Sequence, residues 1–72
     1  MKYYRGTQFV PMKGMAEMYY EADEEDNVIR CMTVVPSTGE VERMDKPVIK
    51  KLFRPEMLES VGSEDFEKYW GR

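Results

Sequence analysis

One run of eight residues, Val28-Ile29-Arg30-Cys31-Met32-Thr33-Val34-Val35, constrains this chain more than any other part of it. The run is continuous and rich in β-branched residues, and polar side chains interrupt it only at Arg30 and Thr33. It therefore reads as a strand that is apolar on both faces. Such a strand needs neighbours at its edges and cover above and below, so the spacing predicts a sheet with residues 28–35 at its centre. In a chain of 72 residues, everything else must supply the flanking strands and the cover.

The flanks have the right pattern. Lys2 to Val10 is rich in Tyr, Thr, Phe and Val and ends at Pro11, and Gly14 opens a second extended run, Met15 to Ala22. In that run Met18, Tyr20 and Ala22 share one face, and Glu17, Tyr19 and Glu21 share the other, the period-2 pattern of a half-buried strand. Asp23 to Asn27 is a polar hairpin loop, Pro36-Ser37-Thr38-Gly39 is a turn, and Glu40 to Met44 returns as a fourth strand.

The last third changes period. Val48, Ile49, Leu52 and Phe53 are spaced as a helical stripe after the break at Lys46-Pro47. Pro55 suits the start of a second helical segment carrying Met57, Leu58 and Val61 and ending at Gly62. Ser63 can cap a final helix with Glu64 and Asp65 in its first turn, where Phe66, Tyr69 and Trp70 recur at i, i+3 and i+4. Helices this short are stable only when docked. The expected fold is a single α+β domain over residues 1–72. It is an antiparallel sheet of three to four strands, a β-meander, with the C-terminal helical segments packed on one face. The expected core is Phe9, Met18, Tyr20, Ile29, Cys31, Val35, Leu52, Phe53, Leu58, Phe66 and Trp70.

Composition then narrows the function. With no His and one Cys the chain has no imidazole base or ligand, no triad and no internal disulfide. Neither a Gly-rich phosphate loop nor a set of residues with metal-ligand spacing is present, and the acidic run Glu21 to Asp26 lacks the alternating pattern of a calcium loop. Cys31, inside the best strand with no base near it in sequence, reads as a small buried hydrophobe. The expectation is a non-enzymatic protein with no catalytic, cofactor or metal residues. No apolar run approaches the roughly 18 residues that span a bilayer, and the first residues have no signal-peptide core, so no membrane partner and a cytoplasmic location are expected.

Charge is blocked along the chain rather than mixed. Residues 17–26 are acidic, residues 43–54 are basic apart from Asp45, and residues 56–67 are acidic again, within a net charge of −3. Two candidate surfaces follow. An acidic surface of Glu17, Tyr19, Glu21, Asp23, Glu24 and Glu25 would present an outward tyrosine beside carboxylates to a basic, nucleic-acid-processing protein. Alternatively, Lys46, Lys50, Lys51 and Arg54 would contact nucleic-acid phosphates, although a pI near 4.9 opposes a polyanion. A third reading is a structural domain or a homodimer joined by an edge strand. Seven methionines, if exposed, would add a compliant contact surface.

The stretch Tyr20-Glu21-Ala22-Asp23, the strand Val28-Ile29-Arg30, the turn at Gly39 and the tail from Glu64-Asp65-Phe66 to Trp70 resemble a family of short uncharacterised bacterial domains. Its pattern is an extended run ending in acids, a V-x-R strand, a glycine turn and a closing E-F-x-x-x-W helix. The resemblance covers residues 18–44 and 63–70. The family has no established activity to carry over, and its small size and lack of catalytic residues are similar to those of immunity proteins and other bacterial or phage inhibitors.

Overall fold

The computed structural model describes residues 1–48, 50–52 and 54–71. Five antiparallel strands form one sheet: β1 (Lys2–Val10), β2 (Gly14–Ala22), β3 (Val28–Val35), β4 (Glu40–Met44) and β5 (Glu59–Val61). Their order is β4-β3-β2-β1-β5. A single-turn 3-10 helix at Pro55–Met57 precedes β5, and one α-helix, α1 (Ser63–Trp70), closes the chain. The α+β class and the antiparallel sheet agree with the sequence pattern. The sheet has five strands instead of three to four, and β2, not β3, lies at its centre.

The β1–β2 register pairs Tyr3 with Glu21, Arg5 with Tyr19 and Phe9 with Met15, and the β2–β3 register continues these rows to Arg30 and Met32. A bulge sits where Glu21 pairs with Arg30 but Ala22 pairs with Val28. Ile29 is the extra residue, and a bulged residue is turned out of the regular alternation. That is why Ile29, expected in the core, is 38% exposed while Arg30 lies on the same face as Glu21.

Each face has its own cluster. On one, Tyr19, Met32, Val34 and Phe66 are buried, with Tyr3, Val41, Tyr69 and Trp70 against them. On the other, Ala22, Val28, Cys31 and Leu52 are buried, with Tyr4, Tyr20, Met44 and Leu58 against them. Cys31, Val35, Leu52 and Phe66 of the expected core are thus buried, Met18, Tyr20, Leu58 and Trp70 are half-buried, and Phe9 is exposed. Phe53 and Ile49 lie outside the described residues.

The helical stripe expected across residues 48–53 does not form among the residues described there. The segment lies between two prolines, which disfavour helix in the residue before each of them, and it is too short to nucleate on its own. Its backbone instead pairs with the end of the acidic turn: Val28 N–H donates to Lys50 C=O at 2.9 Å, and Leu52 N–H donates to Asp26 C=O at 3.0 Å. The second expected helix shrinks to the 3-10 turn, after which Leu58 to Val61 is extended and β5 joins β1. Gly6 makes room for this return, since a Cβ there would sit 2.8 Å from Leu58 Cδ2. Gly62 does not end a helix but starts one. It is the N-cap of α1, its carbonyl accepts from Asp65 N–H at 3.2 Å, and Ser63 is the first helical residue, not the cap.

Among the described residues three that are not glycine, Met12, Asp26 and Arg54, have left-handed backbone, and Met12 lies in the β1–β2 connection. Lys13 N–H donates to Val10 C=O at 3.0 Å, with Pro11 at the second position of the turn and Met12 at the third with φ 73°. This is the arrangement of a type II turn, which asks for Gly or Asn where Met12 stands. A left-handed non-glycine residue costs about 1–2 kcal/mol. Met12→Asn, which tolerates that conformation, is expected to raise the stability measured by urea unfolding by about 0.5–1 kcal/mol.

Candidate protein-contact surface

The sequence-derived surfaces divide once they are placed in space. On the α1 face, Glu21 is 6% exposed and Tyr19 is 3% exposed. Tyr19 therefore does not face outward, and neither residue is open to a partner. The correction has a physical cause: period-2 parity groups Glu17, Tyr19 and Glu21 correctly, but α1 lies over that row of the sheet. Tyr69 packs against Tyr19 with ring centroids 5.7 Å apart.

Glu21 is held in a network. Arg30 donates from Nε to Glu21 Oε1 at 2.6 Å and from Nη2 to Oε2 at 2.9 Å, and the Tyr3 hydroxyl donates to Glu21 Oε2 at 2.9 Å. The same guanidinium reaches Glu67 of α1 at 2.6 Å and lies 4.8 Å from the ring centroids of both Phe66 and Trp70. Arg30 and then Tyr3 hold the Glu21 carboxyl below its ordinary pKa, against the opposing effect of burial. Hydrogen bonding to Glu21, followed by burial, pushes the Tyr3 hydroxyl up. At the far end of the helix, Arg43 Nη2 donates to Tyr69 C=O at 2.6 Å, and its Nε reaches the carbonyls of Tyr69 and Trp70 at 3.1 Å each. These arginines meet helix carbonyls, helix side chains and sheet carboxylate, so the network joins α1 to the sheet.

Of the remaining members of the acidic surface, Asp23, Glu24 and Glu25 lie in the loop after β2, and Glu17 lies midway along the strand. Asp23 is turned inward on its own loop, with Oδ1 accepting from the N–H groups of Glu25 and Asn27 at 2.9 Å each. Bonding to Asn27 holds its carboxyl below the ordinary value. Glu17 lies 3.7 Å from Arg5, which also pairs with Glu59. Glu24 and Glu25 are exposed, and Glu24 lies 3.8 Å from the N-terminal amine. The basic candidates Lys46, Lys50, Lys51 and Arg54 are all exposed. Arg54 lies 3.6 Å from Glu56, and among the described residues the three lysines form no ion pair. Lys51 is the bridge partner of Asn27, however, so the basic run is laid along the acidic loop. Neither forms a surface of one sign.

The other end of β2 is different, and sequence reasoning missed it by placing Phe9 in the core. Phe9 and Met15 are cross-strand partners, 64% and 56% exposed, and Met12 at the turn between them is fully exposed. Below this tip, on the opposite face of the sheet, lies an open groove of about 270 Å³ lined by Val10, Met18, Thr33 and Val35 and edged by Lys13 and Glu40. Lys13 and Glu40 pair at 3.0 Å across the mouth. The available signal was the methionine count together with the odd choice of Met after Pro11, where a turn asks for Gly or Asn.

Cys31 is 2% exposed and burial pushes its thiol pKa up, so it has the character of a packing residue. Among the described residues no group of three or more His, Cys, Asp or Glu is placed to hold a metal ion, and no helix is long and apolar enough to cross a membrane. Comparison with protein-family models, curated proteins and solved structures finds no match.

Two outcomes follow from the Arg30 network. Removing one partner of a buried pair costs about 3–5 kcal/mol, as much as a core this small supplies. Arg30→Ala is therefore expected to be unfolded by circular dichroism, whereas the double variant Glu21→Leu with Arg30→Met refolds. The folded-state pKa of Glu21 is depressed, so the stability it contributes is complete above its ordinary value of 4.5 and is lost as pH falls through the lowered value. Urea midpoints measured from neutral to acid pH should therefore fall along this limb, and Glu21→Gln should start lower at neutral pH and flatten it.

Proposed function

We propose that this chain is a non-enzymatic protein-binding module of the inhibitor or immunity type, and that it docks through the β1–β2 tip. The observation that supports the reading is the exposed trio Phe9, Met12 and Met15. Large apolar side chains clustered at a protruding turn mark contact sites more often than chance exposure does. Methionine adapts to a partner surface, and a turn residue kept in a strained conformation is the kind of local cost that functional sites carry. Size and composition similar to bacterial or phage inhibitors support the same class.

The proposed site changes the partner's chemistry. The tip carries no charge from Gly6 to Met12, so the complementary surface is apolar and not the basic surface that the acidic run suggested. The distance between the two ends makes the distinction testable, because nine residues of β2 put them about 30 Å apart.

Immobilised chain incubated with a bacterial lysate is expected to capture a protein that the double variant Met12→Ser with Met15→Ser no longer captures. Reversing Glu24 and Glu25 to Lys should leave the capture unchanged. Loss through the Glu24 and Glu25 reversals instead would return the contact to the acidic loop. Salt-sensitive oligonucleotide binding that disappears on Lys50→Gln with Lys51→Gln would replace the reading with nucleic-acid binding.

A further inference from the structure

Five strands leave two outermost strands, and both are guarded. β4 carries Glu40, Glu42 and Arg43 among its five residues, and β5 has only three residues. Charge and shortness are the usual protections of a sheet edge against pairing with another chain. β5 pairs with β1 only at Tyr3, Tyr4 and Arg5, and Leu58, between the 3-10 turn and β5, packs at Gly6. Among the described residues, no strand pairs with the outer edge of β1 from Thr7 to Val10. Thr7, Gln8 and Phe9 are exposed. This half-edge is a regular strand with unpaired backbone groups, lies in the uncharged stretch from Gly6 to Met12, and has none of the protections found on β4 and β5.

We propose that the outer edge of Thr7–Val10 pairs antiparallel with the same segment of a second copy of this chain. The proposal rests on the reading of the β1–β2 tip as the contact end and adds a second copy along its free edge. Two features favour a second copy over another strand. First, the molecule has a net charge of −3, yet this stretch is uncharged, so two copies meet here without like charges facing each other. Second, the geometry fixes a self-consistent register. A two-fold axis normal to the sheet keeps equivalent faces together, so paired residues have the same parity. An axis at Phe9 sets Phe9 against its counterpart and Gln8 against Val10, with both Met15 side chains on the Phe9 face. An axis at Gln8 would carry Pro11 to the position opposite Arg5, which Glu59 already occupies. The Phe9-centred register avoids that overlap by setting Pro11 of each copy opposite Thr7 of the other, beyond the three residues that β5 pairs with. The result is one continuous ten-stranded sheet in which the two Phe9 side chains lie side by side at the join, while Met12 at the turn and Met15 one strand further in stay open to another protein.

Sedimentation equilibrium and light scattering over a range of concentrations test this. The wild-type chain is expected to show twice its monomer mass of 8.6 kDa, and Phe9→Lys, which sets two like charges across the axis, to run at 8.6 kDa. Phe9 is 64% exposed, so the variant should keep the wild-type circular dichroism and unfolding midpoint, which separates lost pairing from lost folding. Glu42→Lys on the opposite edge should remain dimeric. Amide exchange from Thr7 to Val10 should slow as wild-type concentration rises and not change in Phe9→Lys. A wild-type monomer at every concentration, a Phe9→Lys dimer, or a dimer dispersed by Glu42→Lys would each overturn the proposal. A monomer that still captures a lysate protein through Met12 and Met15 would overturn the second copy alone and leave the reading of the tip standing.

Discussion

The Arg30 guanidinium lies 4.8 Å from the centroids of both Phe66 and Trp70, whose rings stack on each other, while its nitrogens hold Glu21 and Glu67. A free helix of eight residues does not persist in water, and α1 has that length. Its docking supplies what its sequence cannot, and Arg30 is the group that touches helix ring, helix carboxylate and sheet carboxylate together. The ion pair need not add net stability, since desolvating two charges offsets most of their attraction. Its contribution is to location. Among the described residues the carboxylate buried on β2 pairs with Arg30, so the helix whose rings and carboxylate contact that arginine has one place to sit.

This arrangement also decides where the molecule is polar. Glu21, Tyr3 and Arg30 are turned inward, and Arg5, Glu17 and Glu59 neutralise one another farther along the same face. The acidic loop and the basic run then meet at the same end of the sheet through the backbone pairing of 26–28 with 50–52. Charge is thus matched at one end and along the helix face. At the opposite end the stretch from Gly6 to Met12 carries no charged residue, and the adjacent Lys13 is paired with Glu40. The exposed apolar tip is the remainder of this pattern, and its strained turn at Met12 sits at the same place.

Two separate physical features meet at that end. The side chains of Phe9, Met12 and Met15 lack apolar cover, and the backbone of Thr7–Val10 lacks a strand partner. A strand added alongside satisfies the backbone and sets a second Phe9 beside the first, because main-chain bonds provide the attachment and the alternating side chains provide the fit. The groove on the opposite face continues the same region past Val10 and Met18. A contact that begins at the tip therefore has apolar surface to extend along on either side of the sheet.

The local pattern by itself determined β1, β3 and β4 with their bounds and β2 to within one residue, the turns at residues 23–27 and 36–39, and the apolar stripe of α1, because period, proline and glycine act over a few residues. It also determined which side chains share a face of β2. It could not determine which face is covered. Tyr19 and Glu21 look like a surface pair in sequence, and only the arrival of a helix from more than forty residues away makes them interior. The same holds for residues 50–52 and 59–61. Their apolar spacing fits a helix, but the free edges of Asp26–Val28 and Tyr3–Arg5 offered backbone partners that a short segment between prolines could not find within itself. Whether a short segment becomes helix or strand is decided by where unpaired backbone waits, and that is a property of the assembled sheet.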